Sequence, residues 1–434
     1  AVEENVDVIG LSGLITPSLE EMTYVASEMK KRGMETPLMV GGATTSRIHT
    51  AVKIDPNYDS AVIHVVDASK AVPVVSNLLN QKEADTFANS YKDEYQQLRE
   101  DHAKRQAKKS YLSLADARKK KFKIDWQNSE ITKPSFLGNR YFEDFDLAEI
   151  REFIDWSPFF ISWGLKGAYP KILTHKKFGV EAQKLFDDAN EMLDEIIKNK
   201  SLTAKAAIGL YPANSINDDD IEVYADDKRE KILAKFCNLR QQVERSENAP
   251  TLCISDFIAP KSTGKADYVG GFALTTGLGI EVLLEKYEKD HDDYKSIMLK
   301  AIADRLAEAF AELMHGKVRR ELWGYAKNEN LTAEDLVKEK YVGIRPAPGY
   351  PANPDHTEKW KLFKLLDAEK HTQITLTESL AMYPTAAVSG LYFSHPKSMY
   401  FGVGRITKEQ VQDYAQRKNM TLEEAEKWLA SNLA

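Results

Sequence analysis

Cysteine is scarce in this sequence, with only Cys237 and Cys253 among 434 residues. Two thiols cannot build the disulfide framework of a small secreted domain, and neither stands beside other cysteines or histidines at metal-ligand spacing. We therefore predict that both are small buried side chains of a protein from the reducing cytoplasm. Long apolar runs are also missing. No stretch approaches the roughly 20 residues of a membrane helix, so no membrane association is expected.

Several site motifs are absent as well. The acidic run 218–220 lacks the glycine and the later glutamate of a calcium loop, and it indicates a turn instead. Gly277 and Gly279 lack the third glycine of a dinucleotide fingerprint, and no nucleophile elbow or His/Cys cluster occurs. A net charge of −7 argues against a general nucleic-acid binder. The sequence thus predicts no metal ion and no acid–base catalytic residue.

The composition is that of a globular protein with two or more domains, since 43% of the residues are hydrophobic and 29% are charged. The first 80 residues alternate strand and helix patterns, with strands near 6–11, 37–40 and 61–66 and helices near 19–32 and 68–79. This alternation predicts a short parallel α/β sheet. Because the chain enters a strand almost at once and lacks an initiator methionine, we interpret it as a C-terminal fragment.

The second part of the chain differs in pattern. Residues 81–133 are highly charged and contain neither glycine nor proline, which is typical of a solvated helical linker. Beyond it, strands and helices do not alternate strictly, and we predict a larger α+β domain with a mostly antiparallel sheet and long helices. The expected domain bounds are 1–89, 90–104 for the linker and 105–434. The expected helices are 179–198, 227–245, 292–321 and 407–419, and the expected strands are 206–211, 251–258, 269–275, 375–381 and 387–393.

The segment 345–351, with the sequence RPAPGYP, has the composition of a ligand-binding loop. Its prolines stiffen the backbone, and Arg345 and Tyr350 place a cation and an aromatic ring on it. A guanidinium can bind a carboxylate through two parallel hydrogen bonds, and a stiff loop loses little entropy on binding. A proline-rich surface turn is an equally good interpretation of this segment alone.

Two strand ends in the first 80 residues also carry ligand-binding patterns. The first predicted strand leads into residues 12–18, with the sequence SGLITPS, and the second leads into 41–46, with GGATTS. Ligands of parallel sheets bind at the carboxyl ends of strands, and glycines let the backbone approach a ligand. Taken singly, Ser18 is equally well explained as a helix cap and the two glycines as a turn.

The order of four motifs carries a family resemblance. IDWSPFF at 154–160, GKADY at 264–268, RPAPGYP at 345–351 and SGLYFSHP at 389–396 together resemble the activation domain of cobalamin-dependent methionine synthase. The resemblance extends from about Ser110 to the C-terminus. The first 80 residues resemble the second half of that family's cobalamin-binding domain.

The resemblance implies an S-adenosylmethionine site. Arg345 suits the ligand's carboxylate, a carboxylate such as Asp155 suits its cationic part, and aromatic rings suit the adenine or the sulfonium. Glu308, which shares a helix face with Asp304, is a further candidate, although a solvated acidic stripe explains that pair equally well. The implied site residues are Asp155, Glu308, Arg345, Ala347, Tyr350, Tyr400 and Phe401.

The resemblance also implies a slot for the nucleotide tail of cobalamin. Its residues would be Ser12, Thr16, Gly41, Gly42, Ala43 and Ala68. The family's Asp-x-His-x-x-Gly motif, whose histidine ligates cobalt, does not occur in this sequence, so the axial ligand is expected outside the chain. His49 and His64 lack that context, and we assign neither to the metal. The zinc-bearing homocysteine module and the methyltetrahydrofolate module of the family have no counterpart here either.

The implied activity is that of a methyltransferase component, the reactivation module of methionine synthase. Inactive cob(II)alamin would receive one electron, and the resulting cob(I)alamin would take the methyl group of S-adenosylmethionine; the fragment alone should not make methionine. A non-catalytic corrinoid carrier or S-adenosylmethionine sensor is the alternative. The expected partners are the remaining enzyme modules and an electron donor, flavodoxin or a flavodoxin-like reductase. Docking of this donor is expected on the lysines at 119–121 and on Lys317, Arg319 and Arg320.

Overall fold

The computed structural model describes residues 1–13, 18–67, 70–80, 82–107, 110–246 and 248–434, with backbone alone for 105–107 and 333. The chain forms two compact units. The smaller contains residues 1–116, 242–249 and 404–434, and the larger contains 117–241 and 250–403. None of the described helices combines the length and the apolar character needed to cross a bilayer. The predicted bounds 1–89, 90–104 and 105–434 stay predictions.

The first third of the chain contains three strands and five helices among its described residues. In chain order these are β1 (Ile9–Ser12), α1 (Ser18–Lys31), β2 (Leu38–Gly41), α2 (Arg47–His49), β3 (Val62–His64), α3 (Ala71–Leu78), α4 (Ala84–Ala107) and α5 (Leu114–Lys119). The strands form a parallel sheet in the order β1-β2-β3. The prediction of a small parallel α/β sheet is confirmed. Within the charged segment, α4 and α5 are helical, whereas residues 120–133 contain no helix.

The remaining elements follow from Gly138 onward. They are β4 (Gly138–Phe145), α6 (Leu147–Arg151), α7 (Trp156–Ser162), α8 (Gly179–Asn199), β5 (Thr203–Ile216), β6 (Asp220–Tyr224), β7 (Ile232–Cys237), β8 (Asp267–Leu278), α9 (Ile280–Lys289), α10 (Asp293–Lys317), α11 (Ala333–Val337), α12 (Glu358–Leu366), α13 (Ala368–Thr372), β9 (Thr375–Leu376), β10 (Met382–Tyr383), β11 (Ala387–Tyr392), α14 (Lys408–Lys418) and α15 (Leu422–Trp428). A π-helical turn, Val318–Leu322, continues α10.

An antiparallel sheet forms the centre of the larger unit. Its strand order is β11-β8-β5-β6-β7, and β4 pairs with the first half of β5. Ile208 and Leu210 of β5 belong to one apolar core with α8 and α10, whereas Ala207 and Tyr211 belong to a second core with α12. Because both faces of the sheet are covered, β5 and β8 consist of almost uninterrupted buried residues. The predicted α+β fold with long helices is confirmed.

Three predicted elements differ from the structure. Residues 227–245 were expected to be helical, but they contain β7 and an extended segment that leads to Arg240. The guanidinium of Arg240 is fully buried between Asp219 and Asp256, and these long-range ion pairs outweigh local helix propensity. The expected strand 251–258 instead holds the 3-10 turn Ile254–Phe257, and only Thr375–Leu376 of the expected strand 375–381 is extended.

Two local predictions are confirmed. Cys237 and Cys253 are both free and buried. The acidic run 218–220 lies at the turn between β5 and β6, where Asp218 has a φ of +68°. Asp219 is nevertheless fully buried and ion-paired, which the sequence pattern did not indicate.

Candidate functional site

The RPAPGYP segment extends the edge of the large sheet. Ile344, just before it, exchanges two backbone hydrogen bonds of 3.0 Å with Phe393, directly after β11. The carbonyl of Pro346 then accepts from the N–H of Leu391 at 2.9 Å. Arg345 lies between these anchors, so its backbone is fixed by the sheet.

A tight turn follows. The N–H of Tyr350 donates to the carbonyl of Ala347 at 3.1 Å, and that of Gly349 donates to Asn353 at 2.7 Å. Gly349 has a φ of +95°, and a Cβ there would lie 2.3 Å from Cε1 of His356. Glycine is therefore required both by the backbone conformation and by the neighbouring ring. The side chain of Tyr350 is exposed.

Arg345 is held at both ends. Its backbone N–H donates to the hydroxyl of Tyr400 at 3.0 Å, and its Nη2 lies 2.9 Å from Oε2 of Glu312. Burial alone would lower the pKa of Arg345, but Glu312 and the neighbouring tyrosines, Tyr341 and Tyr400 among them, together raise it. The other terminal nitrogen, Nη1, is buried and has no hydrogen-bond partner among the described residues. A buried cationic donor without an acceptor is rare in proteins and suggests the position of a ligand.

Arg345 lines a cavity of about 450 Å³, which is within the usual range for small-molecule sites. The cavity is formed by the N-terminus of α7, one face of α10, α11 and the segment before RPAPGYP. Its lining residues are Glu152, Phe153, Ile154, Asp155, Pro158, Arg305, Glu308, Ala309, Glu312, Leu331, Leu336, Val337, Glu339, Tyr341 and Arg345. The structure thus brings together three of the sequence-predicted residues, Asp155, Glu308 and Arg345.

The two predicted carboxylates differ in their surroundings. Asp155 is the N-cap of α7, and its Oδ1 accepts from the N–H of Ser157 at 2.9 Å. Glu308 makes no hydrogen bond or ion pair with the part of the chain that the structure describes. Its side chain is accessible from the cavity, yet the surrounding protein raises its pKa by desolvation, against the opposing effects of Arg345 and Arg305. Glu308 is therefore available to a polar or cationic ligand.

The aromatic candidates lie close to these groups in different ways. Desolvation by the surrounding protein and the negative charge of Glu308 raise the pKa of Tyr350, although its side chain is exposed. The hydroxyl of Tyr400 lies 3.3 Å from that of Tyr341, a cavity residue. Phe401 packs edge-on against Phe257 at 6.2 Å and belongs to the second core. Ala347, Tyr350, Tyr400 and Phe401 do not line the cavity directly.

Glu312 and Tyr341 were missed at the sequence level. Glu312 follows Glu308 by four residues on α10, so helical spacing could have placed it on the same face. Tyr341 stands alone in a segment without motif character, and no sequence pattern indicated it.

Known proteins with a similar sequence identify the family. Residues 146–419, more than half of the chain, match the family model described as "Vitamin B12 dependent methionine synthase, activation domain". The chain belongs to this family. A crystal structure of the MetH reactivation domain bound to AdoHcy is 51% identical in sequence, with a TM-score of 0.73. The match covers 75% of this chain and 99% of that one.

The predicted cobalamin slot of this methionine synthase family member lies in the smaller unit. Ser12 and Gly41 are paired at the carboxyl ends of β1 and β2, and Gly41 accepts from the N–H of Gly13 at 2.9 Å. Gly42 has a φ of +106°, and a Cβ there would lie 2.3 Å from the carbonyl oxygen of Gly13. Ser12, Gly42 and Ala43 are exposed at this edge, so they fit a ligand that lies across the strand ends. Thr16 and Ala68 lie outside the described residues.

The two histidines considered at the sequence level, His49 and His64, have different surroundings. His64 lies in β3, and its Nε2 is 3.3 Å from the hydroxyl of Thr45. The side chain of His49 is partly buried, and burial lowers its pKa to about 4. Among the described residues, no group of three or more His, Cys, Asp and Glu side chains could hold a metal ion.

The basic surface expected to bind an electron donor needs one correction. Arg319 is only 1% exposed and pairs with Glu329 at 2.8 Å, so it cannot belong to a docking surface. Arg319 lies in the π-helical turn that continues α10, and its side chain is buried there. Lys317 pairs with Glu149 at 3.0 Å, and Lys121 pairs with Asp218.

Proposed function

We propose that this chain binds S-adenosylmethionine in the cavity beside Arg345 and acts as the reactivation module of a cobalamin-dependent methionine synthase. The observation that carries the proposal is the buried, unpartnered Nη1 of Arg345 at the cavity wall. The carboxylate of the ligand would supply the missing acceptor, in a charge-assisted hydrogen bond. The binding of AdoHcy, which has the same amino acid head, to the similar reactivation domain supports this assignment.

The remaining cavity residues suit the other parts of the ligand. Glu308, which has no polar partner among the described residues, suits the ammonium or the sulfonium, and Asp155 offers a second carboxylate in the lining of the same cavity. The exposed rings of Tyr350 and Tyr400 offer aromatic surface for the adenine or the sulfonium. Ala347 and Phe401 would contribute through their backbone groups.

The chemistry requires no acid–base residue in this chain. Bound cobalamin, once reduced by one electron, supplies the nucleophile that accepts the methyl group from the sulfonium. The role of the chain is therefore to hold the methyl donor in a fixed orientation and to exclude water. Ser12, Gly41, Gly42 and Ala43 would hold the nucleotide end of cobalamin, with Thr16 and Ala68 as further candidates.

Substitution of Arg345 tests the binding site. In titration calorimetry, Arg345→Ala should weaken S-adenosylmethionine binding by about 2–4 kcal/mol, or roughly 30- to 1,000-fold. Arg345→Lys should restore only part of the affinity, because lysine lacks the planar fork. Arg140→Ala is the matched control, since Arg140 is an exposed arginine of the larger unit outside the cavity lining, and it should leave the affinity unchanged. Equal affinity for wild type and Arg345→Ala would remove Arg345 from the site.

A second experiment separates the reactivation module from a non-catalytic sensor. The protein is mixed with cob(II)alamin, a one-electron reductant and S-adenosylmethionine, and the visible spectrum is followed for formation of methylcobalamin. Transfer faster than in the protein-free mixture, and slower with Arg345→Ala, is expected of the reactivation module. Tight binding of the methyl donor without acceleration would favour the sensor.

We further propose that flavodoxin or a flavodoxin-like reductase delivers the electron, in complex with this chain and the other enzyme modules. With Arg319 removed, the candidate docking cations are Lys119, Lys120, Lys121, Lys317 and Arg320. A contact steered by these charges should weaken as salt rises, because the Debye length falls to about 8 Å at physiological ionic strength. An NMR titration with flavodoxin at low and high salt measures this. Affinity that is independent of salt contradicts an electrostatic contact.

A further inference from the structure

The guanidinium of Arg345 is paired with the carboxylate of Glu312. Glu312, on α10, is largely buried with 15% of its side chain exposed, and its Oε2 is 2.9 Å from Nη2 of Arg345. Its other oxygen, Oε1, lies 3.8 Å from Nη1 of Arg319, which is too far for a hydrogen bond. Glu312 therefore stands between two guanidinium groups but bonds closely to only one of them.

The second guanidinium is already occupied elsewhere. Arg319 binds Glu329 with its Nε, at 2.9 Å from each carboxylate oxygen, and with Nη2 at 2.8 Å. Both side chains of this pair are largely buried, at 1% and 7% exposure. Nη1 of Arg319 has no hydrogen-bond partner among the described residues, but at 3.8 Å it does not form a hydrogen bond with Glu312. The carboxylate of Glu312 is thus left to act on Arg345.

Because the guanidinium is planar, its contact with Glu312 also affects the orientation of Nη1. When Glu312 fixes Nη2 and the hydroxyl of Tyr400 fixes the backbone N–H, rotation of the Arg345 side chain is restricted. The direction of the N–H groups on Nη1 then follows from the rigid fork. A donor that is oriented before the ligand arrives loses little entropy on binding.

We infer that Glu312 is a positioning residue, which orients Nη1 of Arg345 toward the carboxylate of the ligand. This inference rests on the proposed S-adenosylmethionine site. Glu312 would then strengthen the binding only of ligands that carry a carboxylate, and only while Arg345 is present. A carboxylate that merely balances the charge of the two arginines would instead support the fold without regard to the ligand.

The test compares two ligands that differ in one group. S-adenosylhomocysteine carries the carboxylate, whereas its decarboxylated analogue, S-adenosyl-3-thiopropylamine, lacks only that group. Glu312→Gln removes the charge of this side chain and keeps its shape. It should weaken S-adenosylhomocysteine binding roughly tenfold in calorimetry, the effect of losing one charge-assisted hydrogen bond. Binding of the decarboxylated ligand, measured by displacement, should change less than about twofold.

A double-mutant cycle gives the second readout. In an Arg345→Gln background, Glu312→Gln should cause no further loss of S-adenosylhomocysteine affinity, because the group that it orients is gone. Asp293→Asn is the matched control, since it removes one exposed acidic charge from the first turn of the same helix. This control should leave the affinities for both ligands unchanged.

The outcomes separate the possible failures. Equal losses for the two ligands, or additive losses in the double variant, would overturn the positioning role of Glu312. If wild-type protein binds neither ligand, the proposed function fails, and the inference fails with it. If Glu312→Gln does not fold, Glu312→Asp withdraws the carboxylate by one methylene and keeps its charge. This variant should still lose affinity selectively for S-adenosylhomocysteine, and unselective loss would again overturn the inference.

Discussion

Lys359 offers a pH-dependent test of the packing beneath the ligand loop. This lysine on α12 is 6% exposed, and its Nζ donates to the carbonyl of Leu380 at 2.9 Å and to Nδ1 of His356 at 3.0 Å. Burial lowers the pKa of Lys359 from 10.5 to about 8. The ring of His356 in turn lies against Gly349 in the turn that follows Arg345.

The magnitude follows from linkage. A pKa that is lowered from 10.5 to about 8 corresponds to a destabilisation of up to about 3 kcal/mol while the amine is charged. Between these two pH values the unfolded chain binds more protons than the folded chain, so the free energy of unfolding rises with pH. The destabilisation is complete below about pH 8 and disappears above about pH 10.5.

The experiment compares wild type with Lys359→Met in urea unfolding at several values between about pH 7.5 and 10.5. Five of the six tryptophans lie in the larger unit, so their fluorescence reports mainly on its unfolding. The difference in unfolding free energy, wild type minus variant, should rise by up to about 3 kcal/mol across this range. Lys364→Met, at an exposed position of the same helix, should give a flat difference. A flat difference for Lys359→Met would refute the conclusion that burial of the charged amine lowers the free energy of unfolding.

Three further predictions concern the fold. Gly349→Ala should lower the free energy of unfolding by about 2–4 kcal/mol, from left-handed strain and a clash with His356; an unchanged urea midpoint would contradict this. Asp219→Asn should lower it by about 3 kcal/mol, because Arg240 loses one of its two buried partners, and a loss below 1 kcal/mol would show that Asp256 alone suffices. In hydrogen exchange, amides of β1–β3 should exchange before those of β5 and β8. The apolar clusters described in the smaller unit are much smaller than the main core of the larger unit. Equal protection of the two sets of amides would contradict this ranking.

The elements that the sequence predicted well are those whose pattern is local. Short apolar runs between turns predicted the three parallel strands, and the long apolar face of α10 predicted a buried helix. Asp155 and Arg345 were proposed from motifs and Glu308 from its helix face, and the structure places all three around one cavity. Their roles in binding remain proposals.

The wrong predictions concern residues whose charged partners are distant in the sequence. The segment around Arg240 has helical spacing, yet Asp219 and Asp256 hold it in an extended conformation. Arg319 had the pattern of a surface cation, but Glu329 neutralises it in the interior. Local sequence patterns do not contain these partners, because the pairing depends on elements that meet only in the folded chain. Glu312 differs from these residues, because its spacing from Glu308 was present in the sequence, and only its pairing with Arg345 required the fold.

The backbone bonds between the RPAPGYP segment and β11 have a consequence for solubility. β11 is an edge strand of the large sheet, and an uncovered edge invites pairing with a strand of another molecule. Residues 344–346 occupy the hydrogen-bonding positions beside Leu391 and Phe393, and the prolines that follow cannot donate to a further strand. Shortening this loop to abolish ligand binding would therefore also uncover the sheet and promote aggregation, whereas single side-chain substitutions would leave the edge closed.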